Sequence, residues 1–241
     1  MSAAAGLRSE ARAALGDYRF LVERGYPDRP SIDLVGNRYR LTREERNLLF
    51  RGVVAEKHAA TRCARLLTAR QVREGGRPGQ RLSLCVDGYN VLYTILAYLR
   101  GIGVFICTDC VLRDVSAAHG RRPPVSKLRR AVGMLCDALG ALQPQEAIVL
   151  LDAQVRLYYD SAELLREALA GRGLPAEIRV TAQADAELMR APASAVVATS
   201  DSVILDRTTA EVFDLARFAL EREFSPAFID LRREEMRPEC S

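Results

Sequence analysis

After Gln80 the sequence alternates short apolar runs with helical patterns, and this alternation constrains the fold more than any other feature. The runs are Leu82–Val86, Val104–Cys107, Ala147–Leu151, Ile178–Val180, Ala195–Ala198 and Ala227–Ile229. Short apolar runs of this kind, bounded by turn signals, read as strands. The clearest helix between them carries Val125, Leu128, Val132, Leu135, Leu139 and Leu142, in steps of three and four. Asp160 with Glu163, and Thr208 with Glu211, have the spacing of capping boxes that open further apolar-striped helices. Strand-then-helix order implies crossover connections. The expected class is therefore α/β, a doubly wound, mostly parallel sheet with helices on both faces.

Before residue 70 the pattern is helical. Leu7 to Glu23 reads as one helix with Leu15, Tyr18, Leu21 and Val22 on a stripe, stopped at Gly25 with Pro27 beyond. A short helix is expected near Ser31–Val35, and the Thr42–Glu45 capping box starts another. The polar stretch from Arg70 to Gln80 holds three Gly and one Pro and shows no apolar period. The expected division is a small all-α, helix-turn-helix-like domain over 1–70, a linker over 71–80 and the α/β domain over 81–241. Charge divides similarly. Residues 1–80 hold 16 Lys or Arg against 9 Asp or Glu, and residues 81–241 hold 19 against 22. A basic first module and a slightly acidic second one suggest different partners.

Several function classes drop out. The longest uncharged stretch, Gly88–Leu99, is 12 residues, whereas a membrane span needs about 20. Arg8, Glu10 and Arg12 occupy the place of a signal peptide's apolar core, so a cytoplasmic protein is expected. The six Cys are expected to be reduced. Cys107-x-x-Cys110 has the spacing of one half of a zinc site and lacks a second half. No phosphate-binding Gly-x-x-x-x-Gly-Lys loop or Gly-x-Ser-x-Gly elbow occurs, and Gly101-Ile-Gly103 precedes a strand instead of opening a helix.

In open parallel sheets the chemistry collects beyond the carboxyl ends of the strands. Asp87, Asp109, Asp152 and Asp201 each follow a predicted strand. Asp also begins loops and caps helices, which is the plainer reading of any one of them. Taken together, carboxylates with no cationic cofactor motif suit the hard cations Mg²⁺ or Mn²⁺, and such ions serve phosphoryl chemistry.

Four segments carry a resemblance. Cys85-Val-Asp-Gly-Tyr-Asn-Val91 resembles the opening strand of PIN-like nucleases of the NYN type. Val149-Leu-Leu-Asp-Ala153 resembles their later strand ending in Asp, Ala184-Asp-Ala-Glu-Leu188 their acidic helix start, and Thr199-Ser-Asp-Ser-Val203 their Thr-x-Asp signature. The chain also resembles a prokaryotic family that joins a short helical module to such a domain, with Arg-Tyr-Arg-Leu-Thr at 38–42 and the stretch from Arg113-Asp114 to His119-Gly120. The resemblance implies strand order 3-2-1-4-5 and an acidic pocket of Asp87, Asp152, Asp185 and Asp201 around Mg²⁺ or Mn²⁺. It implies hydrolysis of RNA phosphodiesters. Asn90 would orient Asp87 or touch the scissile phosphate, unless it only caps the helix Val91–Leu99. Thr199 and Ser200 are candidates to bond a phosphate oxygen, with a plain turn role as the alternative. The family often has an acidic residue in the helix after the first strand, and Asn90–Leu99 has none. Either Asp109 or Asp114, in the inserted stretch Gly101–Pro124, replaces it, or the pocket is weakened.

Arg113, Arg121, Arg122, Lys127, Arg129 and Arg130 put six cations in 18 residues against Asp114 alone. Beside an acidic pocket such a stretch would grip an RNA backbone, and a solvated helix face is the alternative. His119 there is a candidate acid or phosphate ligand, although a lone His is more often structural. Arg38, Arg40 and Arg43, with Arg46, around Tyr39 form a second RNA-binding candidate, and packing on the second domain as a lid is the alternative. Asp206 and Asp214 read as surface residues. The expectation is thus a metal-dependent ribonuclease, with a homodimer as the oligomer considered. The rivals are a non-catalytic RNA-binding protein on the same fold and a small-molecule phosphatase.

Overall fold

The computed structural model describes residues 6–74, 83–116, 123–155 and 161–234. They form two compact units. One comprises the described residues within 65–100 and 118–225, and the other those within 1–64, 101–117 and 226–241.

The first unit is α/β. Its five strands, numbered in chain order, are β1 (Ser83–Asp87), β2 (Glu146–Asp152), β3 (Ala176–Thr181), β4 (Ala195–Ala198) and β5 (Glu211–Phe213). They lie in the order β3-β2-β1-β4-β5, every neighbouring pair parallel, which is the expected 3-2-1-4-5. Asp87 lies beside Leu150 of β2, and Val86 lies beside Ala198 of β4. This register makes the residues after β1 and β4 leave the sheet side by side.

Side chains alternate along β1 as a strand requires. Leu84 and Val86 are fully buried on one face, while Cys85 and Asp87 point to the other. On that second face Cys85, Ile148, Leu150 and Val197 pack with Ala184, Leu188 and Ile204. Those come from the helices Ala184–Met189 and Ser202–Arg207. On the first face, a Cβ at Gly88 would come within 2.6 Å of Leu151 and 2.8 Å of Val149. The helix Gly88–Leu99 thus seats its first turn tightly on the sheet, and it packs with Val125–Leu142 and Leu215–Phe224.

The second unit begins with the helices Ser9–Glu23, Asp28–Arg38, Arg43–Gly52 and Glu56–Ala64. The Thr42–Glu45 capping box forms as expected, and the first helix ends before Gly25, whose φ is +74°. The second helix is longer than the Ser31–Val35 expected. This unit is not all-α. Val104–Ile106 pairs antiparallel with Leu112–Asp114 and parallel with Ile229–Asp230, making a three-stranded sheet. Phe105 and Leu231 join Leu15, Tyr18, Leu48 and Leu49 in its core. Apolar burial thus assigns 101–116 and 226–234 to this unit, so the expected boundary at 81–241 does not describe the division.

Two local readings also change. Glu211–Phe213 is a strand and not the first turn of a capped helix, and the Thr208 hydroxyl instead accepts from Ala210 N–H at 3.2 Å. Helix Ala69–Arg73, with a capping box from Thr68 and Gln71, occupies the start of the expected linker. Asp160 lies outside the described residues.

Candidate functional site

Asp87 ends β1 and is also the N-cap of Gly88–Leu99, where its Oδ1 accepts from Asn90 N–H at 3.3 Å. The cap is therefore Asp87, not Asn90. Its other oxygen, Oδ2, accepts from the Thr199 hydroxyl at 2.8 Å. Thr199 Oγ1 in turn accepts from Asp201 N–H at 3.1 Å, so one hydroxyl joins the ends of β1 and β4. Asp201 caps the next helix, its Oδ1 taking Val203 N–H at 2.8 Å and Ile204 N–H at 3.2 Å.

Asn90 is turned across the same gap. Its Oδ1 accepts from both Ser200 N–H at 2.9 Å and Ser200 Oγ at 3.0 Å. Because a backbone donor fixes which end is oxygen, the amide hydrogens are directed elsewhere, and none of the described residues accepts them. Thr199 and Ser200 are buried, whereas Asp185, in the first turn of Ala184–Met189, is exposed at the rim. Asp152 ends β2 and holds Gln154 N–H at 2.8 Å.

Electrostatics link the four carboxylates. Burial first, and then the like charges of Asp201 and Asp185, push the Asp87 carboxyl up to about 7 against the opposing bonds from Thr199 and Asn90. Asp185 is raised by burial and by Asp201 and Asp152. Among the described residues, none of the four is ion-paired to Arg or Lys. The donor set, oxygen throughout and short of positive charge, fits a hard divalent cation. No three His, Cys, Asp or Glu side chains among the described residues stand close enough to hold a metal as they are. An ion would have to draw the carboxylates inward.

The other candidates part company with this cluster. Asp109 is fully buried in the second unit, where Arg62 bonds it at 2.7 Å and Arg113 at 2.8 and 2.9 Å. Neither Asp109 as a ligand nor Arg113 as a phosphate grip survives, because each neutralises the other inside the fold. Asp114 is buried in the same unit, bonded by Ser116 at 3.0 Å and ion-paired to Arg51 at 3.6 Å. Lys127 Nζ donates to the Leu99 carbonyl at 2.7 Å, closing the end of Gly88–Leu99 instead of facing outward. Arg130 pairs with Glu223 at 3.3 Å over the Phe224 ring, and Arg129 is exposed. His119, Arg121 and Arg122 lie outside the described residues. Arg38, Arg40 and Arg43 are exposed on the second unit, Arg38 lying 3.7 Å from Asp17. Asp214 is buried, not a surface residue, and caps Leu215–Phe224 through Arg217 N–H at 2.9 Å.

The cysteines correct a further expectation. Cys63 and Cys110 form a disulfide with Cα atoms 5.5 Å apart, while Cys85, Cys107 and Cys136 are free. The Cys-x-x-Cys pair is thus divided between a bridge and a buried thiol, and it offers no zinc half-site.

The chain belongs to the family described as Domain of unknown function (DUF5616), which matches residues 80–218. That match contains all four carboxylates. A second family, described as Protein of unknown function (DUF434), matches residues 11–65, the four N-terminal helices. Uncharacterized protein MJ0935 of Methanocaldococcus jannaschii is 28% identical over 206 residues, covering 85% of this chain and 94% of that protein. No solved structure matches the chain. Among the described residues no helix is long and apolar enough to cross a membrane.

Proposed function

We propose that the five-stranded unit is a PIN-like domain that hydrolyses RNA phosphodiester bonds with Mg²⁺ or Mn²⁺ held by its carboxylates. One observation carries the reading: the Thr199 hydroxyl ties Asp87 to Asp201 among carboxylates that no Arg or Lys of the described residues neutralises. The strand order and the position of each Asp beyond a strand support it.

Asp87, Asp185 and Asp201 would hold the cation, with Asp152 at the rim. When bound, it supplies positive charge for the phosphate and for the departing oxygen, and it acidifies a water. The chain's own groups do the remaining work. Thr199 and Asn90 N–H fix both Asp87 oxygens, so that carboxylate is oriented before substrate arrives. Ser200 holds Asn90 with its amide hydrogens available to a phosphate oxygen. A raised Asp87 carboxyl means that loading the site expels a proton.

A second reading, RNA binding without cleavage, is favoured by the lack of a ready three-ligand clasp among the described residues. The assay is incubation of labelled single-stranded RNA with the protein and Mn²⁺, with and without a chelator. Chelator-sensitive cleavage, lost in Asp87→Asn and Asp201→Asn, is the expected outcome. Equal cleavage by both variants removes the carboxylate assignment, and RNA binding without any cleavage selects the second reading.

A further inference from the structure

The two edges of the five-stranded sheet are treated differently. The chain covers the outer edge of β5 itself: Leu67 N–H donates to Val212 O at 2.8 Å and Val212 N–H to Arg65 O at 2.9 Å. At the other edge, β3 pairs with β2 alone among the described residues. An open edge is a template for another strand, and proteins usually blunt it with Pro, Lys, a bulge or a covering segment. The six residues Ala-Glu-Ile-Arg-Val-Thr of β3 contain neither Pro nor Lys, and they pair with β2 in unbroken register. Val180 is 50% exposed there.

The side chains of β3 sort by face. Ala176, Ile178 and Val180 lie on one side, and Glu177, Arg179 and Thr181 on the other. Glu177 and Arg179 already bond through two contacts at 2.9 and 3.1 Å, and Arg179 also reaches Glu187 at 3.1 Å.

We propose that β3 pairs antiparallel with β3 of a second copy of this chain, about a two-fold axis at Ile178, to give a continuous ten-stranded sheet. In that register Glu177 faces the partner subunit's Arg179, Arg179 faces the partner subunit's Glu177, and Ala176 faces the partner subunit's Val180. Apolar residues meet on one face and opposite charges on the other. Centring the axis on Glu177 or on Arg179 sets like charges opposite each other, which is destabilising. A slip by one residue sets the apolar face of one strand against the polar face of the other. The charge pattern thus selects both a self-complementary partner and its register, as a two-fold interface requires.

Sedimentation of the full chain at micromolar concentration and low salt tests this. The parent is expected to be a dimer. Glu177→Arg and Arg179→Glu should each weaken self-association by roughly tenfold or more, because each places like charges across the axis. The two variants mixed should recover a heterodimer, since all-Arg then faces all-Glu, and the double variant should recover a homodimer. Recovery on mixing also demonstrates that each single variant folds. A monomeric parent, single variants that dimerise like the parent, or a mixture that stays monomeric would each overturn the proposal.

Discussion

The Thr199 hydroxyl donates to Asp87 Oδ2 at 2.8 Å across 112 positions of sequence, and this bond makes one site out of two strand ends. It exists because β1 and β4 are neighbours in register up to Val86 and Ala198. The next residues, Asp87 and Thr199, therefore leave the two strands side by side. Thr199→Val should leave the fold in place, at a cost of about 1–3 kcal/mol for the unpaired buried oxygen. It should lower Mn²⁺ affinity and cleavage by roughly 10- to 100-fold, as loss of a ligand's support does. Thr199→Ser should retain most of both, as calorimetric titration would report.

Asp87 gives the site a pH signature. Its carboxyl is raised from an ordinary value of 3.8 to about 7, chiefly by burial. Between those values the folded protein keeps a proton that the unfolded chain has released, so Asp87 costs stability as pH rises through that window. Asp87→Asn removes this cost and still caps the helix. The melting temperature of the variant relative to the parent should therefore climb from pH 4 to pH 8. A difference independent of pH would show that Asp87 ionises normally.

Asp109 should behave as a structural group. Burial alone would raise its pKa, but Arg113 and Arg62 outweigh burial and hold it below the ordinary carboxylate range. Its contribution is present above the unfolded value near 4 and is lost as pH falls below it. Asp109→Ala should destabilise by about 3–5 kcal/mol, since it removes the buried carboxylate that both guanidiniums share. Urea melts would report it. Mn²⁺ affinity unchanged in the folded fraction is the accompanying result.

Cys63 and Cys110, 47 positions apart, fasten the helix Glu56–Ala64 to the turn that carries Asp109. Reduction should cost about 2–4 kcal/mol. Melts with and without a thiol reductant measure the cost. Alkylation of both residues in native, unreduced protein would instead mean that the bridge does not form.

Much of the fold was legible from residues alone, for physical reasons. The central strands β1, β2 and β4 are apolar runs because they are largely buried on both faces, and Asp87, Asp152 and Asp201 stand out because each follows such a run. The strand order came from the resemblance and not from the runs themselves. Val104–Ile106 carries the same apolar signature, yet it belongs to another sheet, because a run of buried residues does not reveal which core it enters. Arg113 was misread for a similar reason. Charge is visible in sequence, but the fully buried Asp109 that neutralises it becomes apparent only in the fold. Thr208 and Glu211 have capping-box spacing, but Val212 and Phe213 gain more by joining β4. Spacing of cysteines never dictates their pairing, so the Cys63–Cys110 bridge gave no signal.

The central claim is that Asp87, Asp185 and Asp201 hold one divalent cation, and thermal melting at pH 8 with and without Mn²⁺ tests it most directly. At 100 times its dissociation constant, Mn²⁺ should stabilise the parent by about 2.7 kcal/mol. At the same Mn²⁺ concentration Asp87→Asn and Asp201→Asn should gain much less, while starting as stable as the parent or more so. A parent indifferent to Mn²⁺, or variants that gain as much as the parent, would contradict the account.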